Sequence, residues 1–416
     1  MNLVSKVSEL IEQLCPDGVE YFKLESIFEL RNGYTPSKKN PSFWENGTVP
    51  WFRMEDIRAN GRILDRSLQM VHESAVKGKG LFPANSIICA TSATIGEHAL
   101  IEVDFLSNQR FTCLSLRDSF KHLLDMKFAF YYCFILDEWC KNNTHDSSFS
   151  SVDMGGFKRF PFPVPPKEIQ REIVEVLDAY AEAEAELEKK LQEELKARRA
   201  QYAYYRDKLL DFDHGGGVRL MALGEIGLLE RGKRFTASDY APEGIGSIHY
   251  GEIYTHYGLS ATETISHLPE SMRSKLRFAH SGDLIIAATG ENVEDLCKSV
   301  VWLGEEHVAV HDDCYIFRSD ADPKYIAHCL LTSRVVGQKK KLISSGKVSR
   351  ISGKNLGRIK IPVPSLEEQR RIVAVLDTFD ALVGDISIGL SAEVEARRKQ
   401  YEHYRDDLLV FREAAA

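Results

Sequence analysis

The sequence predicts an α+β chain: two mixed α/β domains separated by two long helices that pair as an antiparallel coiled coil on a pseudo-twofold plan. Three observations lead there: a long internal repeat, an apolar stripe of helical period through each copy, and short β-like runs ahead of each stripe. The repeat is plainest in "PVPPKEIQREIVEVLD", which begins at Pro163, and "PVPSLEEQRRIVAVLD", which begins at Pro362, an offset of 199 residues. Carried forward without a gap, this offset aligns Ala197-Arg-Arg with Ala396-Arg-Arg, Gln201-Tyr with Gln400-Tyr and Tyr205-Arg-Asp with Tyr404-Arg-Asp. Roughly half the positions from 163 to 212 match their partners, which marks a duplication of domain size and excludes a short-repeat solenoid.

A chain of 416 residues exceeds one ordinary core, and a prior of about 100–200 residues per domain suggests two to four units. Hydrophobic residues at 44% and charged residues at 27% are those of a globular protein, and no apolar run approaches the ~20 residues that cross a bilayer. The opening MNLVSKVSELIEQL lacks the apolar core of a signal peptide, so a cytoplasmic protein with no membrane contact is expected. Its eight cysteines include no Cys-x-x-Cys pair, and His249, His256 and His267 lack the spacing of a metal site. Reduced, mostly buried thiols and no metal are therefore expected. A net charge of −8 argues against a uniformly basic DNA-coating protein, though it leaves room for a local basic groove.

In chain order, Leu10 and Ile11 match Leu209 and Leu210, so the first seventeen residues replay the end of a long helix. They are expected to pack beside the C-terminus and close the molecule into a ring. The first domain, with its N-terminal helix, is placed at 1–162 and contains a β-like run from Ser86 to Thr91. The first long helix occupies 163–213; Pro165-Pro166 suits its start. Ile169, Ile173, Val176, Tyr180, Leu187, Leu191, Leu195, Tyr202, Tyr205, Leu209 and Phe212 form its stripe. At 1.5 Å per residue such a helix is roughly 65–70 Å long, too long to hide its stripe in one small domain. Gly215-Gly-Gly217 reads as a hinge into the second domain, 214–361, with β-like runs at Asp283 to Thr289 and Val308 to Phe317. There "IIAATG" from Ile285 resembles "IICATSATIG" from Ile87 at an offset of 198. The second long helix, 362–416, opens on the capping-box pair Ser365 and Glu368 and is weakened at Gly384 and Gly389. If the ends of the second domain lie close together, the two helices must run antiparallel.

Candidate nucleic-acid contacts combine cations that reach phosphate with small hydroxyl donors. In the first domain these are Lys38, Lys39, Lys77, Lys79, Thr91, Ser92 and Thr94. In the second they are Lys233, Arg234, Thr289, Lys339, Lys340, Lys341, Lys347 and Arg350. Asn108-Gln109 and His311-Asp312 sit at similar places and could read base edges, since Asn and Gln fork onto adenine; a loop hydrogen bond is the plainer use. "NPSF" from Asn40 approaches the adenine-holding motif of amino-methyltransferases but lacks its second proline and any S-adenosylmethionine-binding strand-turn-helix, and reads as a loop. No Walker A loop is present, so no catalytic residue is expected.

The duplicated "PVP…EQ…IV.VLD" with its helix ending "ARR.QY..YRD.LL.F", placed after each of two divergent domains, resembles the specificity subunit of type I restriction-modification systems. The segment "GYTPSKKNPSFWENGTVPW", Gly33 to Trp51, is similar to the opening of that family's target-recognition domains, whereas the second domain carries "GKRFTASDYAPEGIGSIHYG" instead. The resemblance implies a non-catalytic scaffold for phage defence. Each domain would read half of a bipartite site in double-stranded DNA, and the helices would set the gap and dock two methyltransferase subunits. Adenine N6 methylation would draw on S-adenosylmethionine held by those partners. ATP and Mg would belong to a separate motor-nuclease (restriction) subunit, so this chain would bind no cofactor. The spacer and docking role falls on Gln170, Ile173, Leu177, Arg198, Tyr202 and Tyr205, with Gln369, Ile372, Leu376, Arg397, Tyr401 and Tyr404 as their counterparts. The acidic run Glu182 to Glu194 would face solvent or partner rather than DNA. A rival reading is a coiled-coil adaptor that binds proteins and has no DNA affinity.

Overall fold

A computed structural model describes residues 3–145, 150–212, 217–290, 295–343 and 349–414. Contacts divide the chain into two units, residues 1–189 with 392–416 and residues 190–391. Each long helix is thus shared: Lys167–Leu209 and Leu366–Leu408, of 43 residues each, both begin in one unit and end in the other. The second runs unbroken through Gly384 and Gly389, where an added Cβ would meet open space. Gly215 and Gly216 of the expected hinge, and Lys347, lie outside the described residues.

One topology is built twice. In the first unit a five-stranded sheet runs in the order Phe28–Asn32, Phe111–Leu116, Ser86–Ala90, His98–Ile101, Ile63–Leu64, antiparallel except for the last pair. In the second the order is Gly227–Arg231, Cys314–Ser319, Leu284–Ala287, Ser299–Trp302, Ser260–Ala261, again parallel only at the last pair. A smaller sheet flanks each, centred on Val49–Phe52 and Ile245–Ile248, with one parallel neighbour apiece. A two-stranded ribbon leads into each long helix: Tyr21–Lys23 with Pro161–Pro163, and Arg219–Ala222 with Lys360–Val363. The "PVP" of the repeated motif is the end of that ribbon.

Strand register corrects the sequence comparison by one residue. Ala90 pairs with Phe111 and Ala287 with Cys314, and Gly33 and Gly232 donate their N–H groups to the carbonyls of Phe111 and Cys314. Ala287 is therefore the counterpart of Ala90, an offset of 197 rather than 198. A one-residue slip matters in a strand because it sends every side chain to the opposite face. The run Val308 to Phe317 is two strands, Val308–Val310 and Cys314–Ser319, in different sheets. The turn His311–Asp313 between them lets the chain change sheets.

The rest of the repeated motif latches each unit to its helix. Gln170, fully buried, donates to the carbonyls of Leu123 (2.7 Å) and Pro165 (2.6 Å) and accepts from Asp125 N–H (2.7 Å). Asp125 caps the helix Met126–Asn142, whose Lys127 and Tyr131 reach Asp178 of the "VLD", each at 2.7 Å. The second unit repeats this with Gln369 between Pro364 and Asp322, and with Lys324 on Asp377 at 2.7 Å. Ile173, Leu177, Ile372 and Leu376 are buried in the cores beneath.

The helices are antiparallel within each unit. Tyr180, early in the first helix, stacks on Tyr404, late in the second, at 5.7 Å. In the other unit Tyr205 stacks on Phe379 at 5.7 Å, which is the same pair shifted by the repeat. The N-terminal helix Leu3–Leu14 packs Val7, Leu10 and Ile11 into the core that holds Leu408, Leu409 and Phe411. Val19 exchanges backbone hydrogen bonds with Arg412 and Ala414 there, and Gly18, at φ +108°, lies against Ala414 N at a distance no Cβ would tolerate. None of the eight cysteines is disulfide-bonded, and seven are buried. Among the described residues no helix is long and apolar enough to cross a membrane.

His328, buried under Tyr202 of the first long helix, makes the packing of that helix in the second unit pH-sensitive. Burial lowers its pKa to about 4, against the pull of Asp377. The folded state thus keeps the ring neutral while the unfolded chain protonates it near 6.5, so stability is full above that value and declines as pH falls to about 4. The total is about 3 kcal/mol. Denaturant midpoints of the second unit should fall across this window, and His328→Phe should flatten the slope.

Candidate nucleic-acid interface

Each unit presents one turn on the same frame. Asn108 N–H donates to the Phe52 carbonyl (3.1 Å), and His311 N–H to that of Ile248 (3.0 Å). Thr91 N–H reaches the Arg110 carbonyl (3.0 Å), and Ala288 N–H that of Asp313 (2.8 Å). Asn108-Gln109-Arg110 and His311-Asp312-Asp313 are therefore structural counterparts. By the same ladders Asn32 corresponds to Arg231, Thr112 to Tyr315 and Ser151 to Arg350. The frame is kept and the side chains are exchanged.

Both turns rest on a glycine chosen for close approach. A Cβ on Gly33 would lie 2.2 Å from the Asn108 carbonyl oxygen, and one on Gly232 2.1 Å from that of His311. Gly232→Ala must lift its turn off the strand, with an expected loss of about 1–3 kcal/mol. A thermal melt checks the stability, and a shift of backbone amide signals confined to residues near 232 and 311 checks the place.

In the second unit the turn walls a cavity of about 640 Å³, which gathers Arg234, Thr289, His311 and Arg350 from the sequence candidates. It adds Arg231, Tyr250 and Tyr315, which sequence reasoning missed. Arg231 donates through Nε to the Asp312 carbonyl (2.6 Å) and through Nη2 to its carboxylate (3.3 Å). His311 braces the turn: Nε2 lies 2.8 Å from the Phe235 carbonyl and Nδ1 2.8 Å from the Asp313 carboxylate. Burial opposes its charge, but Asp313, the Phe235 carbonyl and Asp312 outweigh burial and raise its pKa.

Other candidates separate by exposure. Lys38, Lys39, Lys77, Lys233, Arg234, Lys340 and Lys341 are exposed. Tyr34 and Trp51 tie Lys77 to the Gly33-to-Trp51 segment: Tyr34 OH accepts from Lys77 N–H at 2.9 Å, and Trp51 Nε1 donates to the Tyr34 carbonyl at 3.0 Å. "NPSF" is a short 3-10 turn capped by Asn40. Ser92 and Thr94 are half-buried, and Gln109 is exposed and bonded to Thr35. Asn108 uses its side-chain oxygen Oδ1 within the loop, accepting from Arg110 N–H at 3.0 Å. Lys79 is paired with Glu29 at 2.8 Å.

Three hydroxyl and lysine candidates are corrected by burial. Thr91 is turned onto Thr112 (2.9 Å), and Thr289 is buried although it borders the cavity. Lys339, 1% exposed, donates to the Leu296 carbonyl, because it shares a helix face with buried Val335 while Lys340 and Lys341 point outward. The helical i, i+4 spacing was the signal that could have found this. Among docking candidates, Gln170, Ile173, Leu177, Gln369, Ile372 and Leu376 are likewise spent inside their units, as latch or core. Arg198 and Arg397 stay exposed, each paired four residues back, with Glu194 (2.8 Å) and Glu393 (2.9 Å). Tyr202 is half-buried against His328. Arg397 and Tyr401 border an apolar groove of about 270 Å³ in the first unit.

Two frames of one topology with different side chains on one turn, joined through paired helices, define a duplicated recognition protein. The sequence matches the type I restriction modification DNA specificity domain over residues 16–197 and again over 217–396. The chain belongs to the specificity subunits of type I restriction-modification systems. It is 41% identical over 395 residues to the type I restriction enzyme EcoprrI specificity subunit of Escherichia coli, covering 92% of this chain and 93% of that protein. It is 34% identical over 275 residues to the EcoR124I/EcoR124II specificity subunit of the same species, covering 61% and 63%. In fold it is similar to a chain solved in a study of complex assembly and conformational transition of the type I R-M system, with a TM-score of 0.68, 18% identity and 95% and 98% coverage. The HsdS subunit of Thermoanaerobacter tengcongensis gives 0.50 at 18% identity, with 96% and 99% coverage.

Proposed function

We propose that this chain is the non-catalytic DNA reader of its complex, each unit recognising one half of a bipartite site while the paired helices set the gap. The observation that carries this reading is the shared frame with exchanged turn residues, since one DNA-facing geometry used twice with different side chains reads two different half-sites. Lys38, Lys39 and Lys77 in the first unit, and Lys233, Arg234, Lys340, Lys341 and Arg350 in the second, hold phosphate and position each unit; base contacts come from the turns and from the strand ends beside them. Affinity should therefore fall steeply with salt despite the acidic net charge.

The exposed faces of the long helices, with Arg198 and Arg397 beside the stacked Tyr205 and Tyr404, dock two methyltransferase subunits that bring S-adenosylmethionine to adenine N6. A motor-nuclease subunit using ATP and Mg completes the complex, which works in the cytoplasm. The test is co-expression with the neighbouring methyltransferase and mapping of modified adenines. A two-part motif with one fixed gap is expected. Unmodified DNA from an assembled complex that binds S-adenosylmethionine would count against the reading and favour the adaptor.

A further inference from the structure

Resting on that DNA-reading role, we propose that Arg231, held in place by Asp312, is the residue of the second unit that reads a guanine. Arginine is matched to guanine because its fork meets the O6 and N7 acceptors together, and cytosine opposite presents an N4 donor that suits a carboxylate. The cavity offers this combination. The Arg231 side chain is 58% exposed, and Asp312 engages two of the five N–H donors that a guanidinium carries, fixing the fork and leaving the others for a ligand. Asp312 and Asp313 line the same cavity. Arg234 and Arg350 line it too, so the division of labour is local: the Arg231–Asp312 pair suits a base edge that mixes acceptors with a donor, and Arg234 and Arg350 suit the adjoining phosphates.

The first unit shows the alternative use of the frame. Where Arg231 stands, it has Asn32, whose side-chain oxygen accepts from Thr112 at 3.0 Å. Where the two carboxylates stand it has Gln109 and Arg110, so its turn has neither the buttressed guanidinium nor a carboxylate to accept from cytosine. The difference between the half-sites at this point is thus written in the exchange of Arg231 for Asn32.

The experiment uses the whole chain assembled with its methyltransferase subunits. After the wild-type motif is mapped, duplexes carry 7-deazaguanine, which lacks N7, at each guanine of both half-sites in turn. One replacement is expected to weaken wild-type binding about ten-fold or more. In Arg231→Gln the same replacement should add no further loss, and that position alone should relax in the methylation map, with the other half-site and the gap unchanged. Arg231→Lys keeps the charge but not the fork fixed by Asp312, and should weaken guanine discrimination without abolishing it while keeping the wild-type salt dependence. Guanine sensitivity that persists in Arg231→Gln, or no sensitive guanine at all, overturns the assignment and leaves the bipartite reading standing. A wild-type complex without a bipartite motif fails that reading instead.

Discussion

Inserting one heptad into each long helix, between Lys189 and Lys190 and between Ser391 and Ala392, is expected to lengthen the gap by about three base pairs and leave both half-sites unchanged. Those junctions divide the two contact units, so the insertion separates the readers without entering either core. Seven residues add about 10 Å of helix at 1.5 Å per residue, close to three base-pair steps of 3.4 Å. A heptad also keeps both apolar stripes in phase, so the antiparallel stacks of Tyr180 on Tyr404 and Tyr205 on Phe379 persist. Three base pairs rotate one half-site by about 100° around the DNA axis, because B-DNA turns once in about 10.5 base pairs. Methylation at the new gap is therefore expected to be slower than wild type, while DNA with the original gap should lose methylation by two orders of magnitude or so, as misplacement by a few ångströms does. Inserting the heptad in one helix alone misaligns the pair and should abolish methylation at either gap. Altered half-sites in the double insertion would sink the spacer reading.

Gln170→Ala should destabilise the first unit by about 3–5 kcal/mol, since it strands two carbonyls and one cap N–H in a buried site. Gln369→Ala should cost the second unit about 2–4 kcal/mol, because its two bonds, to Pro364 and Asp322, are longer at 2.9 Å. Denaturant unfolding gives the magnitudes. Hydrogen exchange gives the place: protection should fall first in Met126–Asn142 for Gln170→Ala and in Pro323–Leu330 for Gln369→Ala. Unchanged protection of those helices would mean that the glutamines do not hold them.

This latch was only half legible. The repeat exposed Gln170 and Gln369, Asp178 and Asp377 as equivalent positions, but their partners Asp125, Lys127, Asp322 and Lys324 lie about 45 residues or more upstream, where the repeat shrinks to an Asp-x-Lys at an offset of 197 that the 199-residue register misses. A side-chain bond to a distant backbone group leaves no periodic trace. The resemblance points the glutamines at partner docking, whereas their burial makes them latches. The candidate site was legible as charge and not as geometry. Lys38, Lys39, Lys233 and Arg234 are exposed as a basic cluster should be, whereas Lys339 and Thr91 face inward and Arg231 was passed over. Net charge along a segment does not say which face of a helix or strand points to solvent.

From the sequence alone came the duplication, the two long helices, their antiparallel pairing and the family, because a helix of this length writes its stripe and its ends into local spacing, and a repeat of 199 residues survives loop divergence. The tertiary structure decided the register within each unit, the counterpart of each turn residue and the convergence of Arg231, His311 and Arg350 on one cavity. Those depend on strand pairing between segments whose loops differ in length, where an ungapped comparison slips by one residue and one residue exchanges the faces of a strand.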